Sequence, residues 1–334
     1  MKHLLIPILL LCSLLSACSQ ALPDSPDTAR ISFQVGIPST LTRSDADALE
    51  TETTMHTLHV YVYDDEQPNG LLESHFTFQP EAMTLDAIIK TGYGRKRFVF
   101  VANTDVQDQW TFEDNDSSRD SFVMVSSATM DVQQADIDLG YHFLERLVSR
   151  VEICQIRNRM PSSVGIVRLK GIYLHNVARD LGNTSWEDDA YWRQDSDDLD
   201  VVRPLLDGGA SGPFAPGSTW DAPAGGYYLY GYPNAAPQSA DDRTRDWVTR
   251  LVVELEIDGV TSYYPIGIPD MESNRCYIIR RLDILRAGSP NPDHYVTTKD
   301  IDLEMQVADW IPAPAGSIDP GTFGHTDNEG NTTL

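Results

Sequence analysis

The sequence predicts an all-β chain folded as two antiparallel β-sandwiches in tandem. Short runs in which apolar and polar residues alternate recur along the 334 residues, separated by clusters of Gly, Asp, Asn and Pro. Alternation with a period of two puts one face of a strand on a core and the other in water. Many short strands with repeated turn signals are the pattern of sandwiches. Length supplies the second domain: about 316 residues follow Cys18, and a domain takes roughly 150 residues.

Residues 1–17 read as a secretory signal. They hold Lys2, an apolar run from Leu4 to Leu15, and the small residues Ser16 and Ala17 ahead of a cysteine. The apolar run is too short for a permanent membrane span. Leu15-Ser16-Ala17-Cys18 resembles a bacterial lipobox, which makes Cys18 the expected lipidated first residue of the mature chain. Residues 18–28 are polar and proline-broken, a tether between lipid and fold. The net charge is −25, one unit more negative once Lys2 is lost. So acidic a chain lacks the basic face that nucleic-acid binding needs, and it suits an exposed, soluble surface.

The first sandwich is assigned to residues 29–139, and its opening strand is the stretch on which the functional expectation turns. Ile31, Phe33, Val35 and Ile37 alternate with Ser32, Gln34 and Gly36. A hydrophilic segment from Pro38 follows and carries Arg43, open to a trypsin-like protease. Burying the four apolar side chains contributes about 1.5–3 kcal/mol each, roughly 6–12 in all. That equals the whole stability of an ordinary domain, about 5–15 kcal/mol. Losing this strand would leave a marginal domain with an open sheet edge, which a strand from a neighbour can restore. A place in mid-sheet, bonded on both flanks with Arg43 out of reach, would overturn the expectation of replacement and leave an acidic, lipid-tethered pair of sandwiches with no assigned task.

Leu58, Val60 and Val62 alternate with His59, Tyr61 and Tyr63, giving a half-buried strand that ends in the turn Asp64–Gly70. Leu72–Phe78, Leu85–Ile89, Arg97–Ala102, Ser121–Ser126 and Met130–Leu139 complete the first set. The second sandwich, 140–310, is expected to contain Arg146–Ile153 and Val167–Leu174. After them comes an irregular stretch from Ala178 to about Gly225 that carries Trp186, Trp192 and Trp220. Strands resume at Gly226–Gly231, Arg250–Ile257, Ser262–Ile268 and Tyr277–Leu285. The last, Lys299–Trp310, places Ile301, Leu303, Met305 and Val307 on one face against Asp302, Glu304 and Gln306. Residues 311–334, polar with prolines, read as a flexible tail. Cys154 and Cys276 lie in strand-like runs and are open to either a disulfide or two buried thiols.

Signatures of chemistry are missing. There is no metalloprotease helix motif, no nucleophile elbow, no phosphate-binding glycine loop and no Cys-x-x-Cys. His56 and His59 differ by three positions and fall on opposite faces of a strand. Asp114, Asp116, Ser118 and Asp120 have the odd-position oxygens of a calcium loop, but Arg119 and Val125 stand where it needs glycine and glutamate. Asp195, Asp197, Asp198 and Asp200 have no loop pattern. The expectation is therefore no enzyme, no cofactor and no metal.

Taken in order, several pieces resemble the fimbrillins, subunits of the type V pili of Bacteroidota. They are the lipobox, the first strand before Thr42-Arg43, and Leu58–Asp64 ahead of a glycine turn. Gly94–Asn103, Arg146–Arg150, Ile172–Val177 and the finish at Val307–Trp310 complete the set. The resemblance implies two transthyretin-like β-sandwiches, export as a lipoprotein to the outer membrane, and a fimbrial subunit that is no enzyme. It also implies an Arg-specific maturation protease cutting after Arg43 and releasing 18–43. A C-terminal strand of the next pilus subunit would then enter the vacated groove, from 299–310 or from part of 311–323. The alternative is a monomeric glycan- or protein-binding surface lipoprotein that uses Trp186, Trp192 and Trp220 as its platform.

Overall fold

A computed structural model describes residues 28–37, 52–67, 70–105, 121–133, 136–178, 191–192, 213–223, 226–233, 248–268, 271–294 and 296–310. Cys18, Arg43, Trp186, both acidic clusters and the tail 311–334 lie outside the described residues. The first group of strands is β1 (Thr28–Gly36), β2 (Leu58–Asp64), β3 (Leu71–Phe78), β4 (Thr84–Gly92), β5 (Gly94–Ala102), β6 (Met124–Val132), β7 (Asp136–Phe143) and β8 (Glu145–Arg146). The second is β9 (Ser149–Ile153), β10 (Gln155–Asn158), β11 (Val167–His175), β12 (Val177–Ala178), β13 (Tyr191–Trp192), β14 (Thr219–Asp221), β15 (Tyr228–Gly231), β16 (Arg250–Ile257), β17 (Val260–Gly267), β18 (Arg275–Ile284) and β19 (Ile301–Asp309). No α-helix occurs among the described residues, and none there is long and apolar enough to cross a membrane.

In the first group a three-stranded sheet, β4-β1-β7, faces a five-stranded one, β3-β2-β5-β6-β8. The Phe33 ring of β1 meets Phe100 of β5 at 5.3 Å between centroids, which fixes the two layers face to face. Glu73 of β3 ties the layers at their far end: it accepts from Thr91 Oγ1 at 2.8 Å, from the Gly92 amide at 2.6 Å, and pairs with buried Lys96 at 2.6 Å. In the second group β18 is central. β19 lies on one edge, β9 and β10 lie end to end on the other, and β15 and β14 add beyond them. The sheet β11-β16-β17 covers that face. Tyr227 bonds across the gap to the Ile172 carbonyl at 3.0 Å.

The all-β class agrees with the sequence, and three features differ in detail. First, not every pair is antiparallel: β1 runs parallel to β7, and β9 and β10 run parallel to β18. In each case an early strand joins one far along the chain, a pairing that no local turn pattern reveals. Second, the runs Ser121–Ser126 and Met130–Leu139 regroup as β6 and β7. Gly140 does not end β7. Its φ of +78° accommodates a bulge, where the register with β1 slips between Ser32 and Gln34. β8 then pairs with β6, and the chain changes sheets at Leu147 and Val148. Third, β2 is covered on both faces: His59 and Tyr61 are buried as well as Leu58, Val60 and Val62.

The polar face of β2 carries a stacked set that alternation alone does not show. His59 Nδ1 and His75 Nε2 are 2.9 Å apart, and Tyr61 stacks on His75 at 4.3 Å. His56 points elsewhere, to Glu81 at 2.8 Å, so the two histidines three positions apart share no ligand. Burial lowers the affinity of both His59 and His75 for a proton, and for His59 the neighbouring imidazole adds to it.

Candidate strand-exchange site

β1 occupies a slot. Ile31, Phe33 and Val35 are buried, as is Ile37 just beyond the strand, so the inward face expected from alternation is the observed one. β4 holds one flank antiparallel over the whole strand, from Thr28↔Gly92 to Gly36↔Thr84. β7 holds the other flank, with Ile31↔Ile137 and Val35↔His142. The strand therefore sits in mid-sheet, bonded on both flanks, and does not close an open edge as expected; that placement counts against exchange of the intact strand, while Arg43 lies outside the described residues. Its removal exposes two rows of backbone donors and acceptors in place of one. Neither flank is joined to β1 by a hairpin, so every contact it makes is with residues distant in sequence. Its outward polar links are weak ones: Ser32 Oγ to the Ile137 carbonyl at 3.3 Å, and exposed Arg30 to Asp136 at 4.0 Å.

His142 lines the slot from β7. Its ring stacks on Phe100 at 4.9 Å, and its buried Nε2 has no hydrogen-bond partner. Burial holds its proton affinity below the usual imidazole range, against a smaller opposing bond to the Leu139 backbone. Together with His59 and His75, three imidazoles of the first sandwich resist protonation in the folded state. An unfolded imidazole protonates near pH 6.5, so below that value the unfolded chain binds more protons than the folded one. Stability from these groups is then complete above about pH 7 and falls as pH drops from about 6.5. Denaturant midpoints of the first sandwich are expected to decline between pH 7 and pH 5, before most carboxylates titrate. A flat profile over that interval, or His142→Phe leaving it unchanged in slope, would contradict the assignment.

The candidate donor strand is in place in its own domain. β19 pairs antiparallel with β18 from Ile301↔Ile284 to Asp309↔Arg275 and forms the edge of that sheet. Ile301, Leu303 and Met305 face the core as expected. Val307 does not: it is 48 % exposed, and Ala308 packs inward instead. The inward phase moves by one residue close to the bulge at Arg280 in β18.

Immediately after β19, Trp310 is fully buried where the two sandwiches meet. Its Nε1 donates to Glu52 Oε2 at 3.1 Å, its ring stacks on Tyr230 at 5.8 Å, and the guanidiniums of Arg146 and Arg150 lie 4.8 and 5.2 Å from its centre. Phe122 closes the cage at 5.9 Å. Glu52, which precedes β2, also accepts from Arg150 Nη1 at 2.9 Å and from the Tyr230 hydroxyl at 2.5 Å. Its backbone carbonyl takes Arg146 Nε and Nη2 at 3.1 and 2.8 Å. Burial pushes the Arg146 guanidinium down to about 10, so it keeps its charge at neutral pH. Sequence reading missed Glu52 together with Arg146 and Arg150, because Glu52 lies some 94 residues before Arg146 and a buried carboxylate has no local signature.

Cys154 and Cys276 form no disulfide, and burial raises the Cys276 thiol to about 12, which leaves it protonated and inert. Trp220 packs edge-on against Tyr227 at 5.6 Å, half-buried in its own sandwich. Of Trp192 only the strand pairing with Val177 is described. The expected platform of Trp186, Trp192 and Trp220 thus falls largely outside the described residues. Among the described residues no group of three metal-ligating side chains occurs.

No protein-family model and no curated protein sequence matches the chain. Solved structures do. A candidate cell adhesion protein from Parabacteroides distasonis aligns with 85 % of this chain and 98 % of its own, at 16 % identity and a TM-score of 0.60. A fimbrilin, FimA, from Porphyromonas gingivalis aligns with 84 % and 98 %, at 13 % identity and a TM-score of 0.55. The fold is that of the fimbrillins. The tip fimbrial protein Mfa3 of the same organism matches 85 % of this chain and all of its own, at 13 % identity and a TM-score of 0.51. The fimbrillin fold thus spans both groups of strands, with the slot in the first and the caged tryptophan at their junction.

Proposed function

We propose that this protein is a structural or adhesive subunit of a cell-surface pilus and not an enzyme. It is exported as a lipoprotein through Cys18, matured by cleavage after Arg43, and assembled by β-strand exchange. Its partners are then other pilus subunits, an Arg-specific protease and, until maturation, the outer membrane; nucleic acid is not among them. The observation that carries this is β1 itself. It fills the space between β4 and β7, which do not pair with each other, and no hairpin connects it to either.

A mid-sheet place makes spontaneous exchange of an intact strand slow, since two ladders must open together. Cleavage changes the balance. Once residues 18–43 are a separate peptide, their departure is no longer opposed by the rest of the chain, and a slot with two unpaired edges accepts a replacement strand through both. The tail suits the donor role better than β19. β19 completes its own sheet and ends in a caged tryptophan, whereas the 24 residues after Trp310 reach roughly 80 Å when extended. The nine residues of β1 span only about 30 Å at 3.3 Å per residue.

The test is to treat the full chain with an Arg-specific protease and run it unboiled. A ladder of stable multimers is expected, absent when Arg43→Ala blocks the cut. A cut chain that stays monomeric and binds glycans would instead support a surface-binding lipoprotein.

A further inference from the structure

We infer that Glu52 and Trp310 are positioning residues for strand exchange, tying the stretch that follows the cut and the root of the donor tail to one buried point. This rests on the exchange proposed above. Glu52 is the ninth residue after Arg43, so it stays with the body when residues 18–43 leave. Trp310 directly precedes the tail. One hydrogen bond, Trp310 Nε1 to Glu52 Oε2 at 3.1 Å, joins the two.

Everything else in the cage belongs to the framework: Arg146 on β8, Arg150 on β9, Tyr230 on β15, and Phe122 just before β6. The Glu52 carboxylate takes a guanidinium N–H, a phenol O–H and an indole N–H, each from a different element. Its own two neighbours on the framework side, β8 and β9, belong to different sandwiches. The clamp therefore holds both sandwiches, and it does so with groups that cleavage leaves untouched. A tail fixed at Trp310 leaves the body at one defined place in every subunit. A tail freed from the clamp would let β19 peel from β18, because β19 has no second neighbour among the described strands to hold it.

Two variants of the full chain separate positioning from general stabilisation. Trp310→Phe keeps an aromatic ring in the cage and removes the N–H; Glu52→Gln keeps the size and removes the charge. In uncut Trp310→Phe, amide hydrogens of β19 are expected to exchange at least ten-fold faster while those of β4 and β7 are unchanged. After the Arg-specific cut, its ladder is expected to shorten to monomers and dimers. Unchanged β19 exchange would overturn the proposal. So would a lower melting temperature with a ladder of wild-type length, which marks a clamp that only stabilises. If the wild-type chain gives no ladder, exchange itself has failed, and β19 exchange rates still report whether the bond holds the strand.

Discussion

A chain that begins at Pro38 is expected to lose amide protection along β4 and β7 while its second sandwich stays protected, and a synthetic peptide of residues 28–37 is expected to restore it. Four buried side chains, Ile31, Phe33, Val35 and Ile37, leave the core when β1 is absent. That removes about 6–12 kcal/mol of burial, and each lost ladder bond adds about 1 kcal/mol. The sum exceeds what a sandwich of this size has to lose, about 5–15 kcal/mol. The peptide restores the loss in trans because β1 has only long-range contacts and no turn to re-form. A peptide with Phe33→Asp should fail, since its carboxylate would face Phe100. Protected β4 and β7 amides without any peptide would show that the slot closes by itself and would rule out an obligatory partner strand.

The next largest effect belongs to Glu52→Ala. Its loss is expected to lower stability by about 3–5 kcal/mol, the range for breaking a buried ion pair from one side. The side chain is fully buried, and its removal takes the acceptor from Trp310, Tyr230 and Arg150 at once. Glu152, 4.0 Å from Arg150, is too far to replace the 2.9 Å bond that Glu52 makes with that guanidinium. Urea unfolding should show the drop, together with separation of one transition into two as the sandwiches uncouple. A change below about 1 kcal/mol would place this site among ordinary surface pairs and remove the basis for the clamp.

Much of the fold was legible because its strands are short and alternate. β1, the first half of β11 and the inward face of β19 up to Met305 follow from period two alone, whereas β16 is buried on both faces. What alternation could not give is which strand pairs with which. The parallel partners of β1, β9 and β10 lie far along the chain, and their register depends on the bulge at Gly140 and the sheet change at Leu147. Covering of a strand's polar face, as at His59 and Tyr61, likewise depends on residues remote in sequence. The candidate site divides the same way. Ile31, Phe33, Val35 and Ile37 were visible as a face; their mid-sheet setting was not. Val307 misled because the inward phase shifts beside it. Glu52 was invisible, since a hydrophilic connection gives no sign that one of its carboxylates is buried.

The central claim is that β1 holds a place another chain's strand can take, and the composition of the multimers tests it most directly. After Arg-specific cleavage of the full chain, multimers and monomers would be separated and weighed by intact mass spectrometry. The account expects multimers built from chains that start at Ser44, with residues 18–43 absent, while uncut monomers retain them. Multimers that keep residues 28–37 at one copy per subunit would contradict it, because the slot would then still hold its own strand and assembly would have to use some other surface.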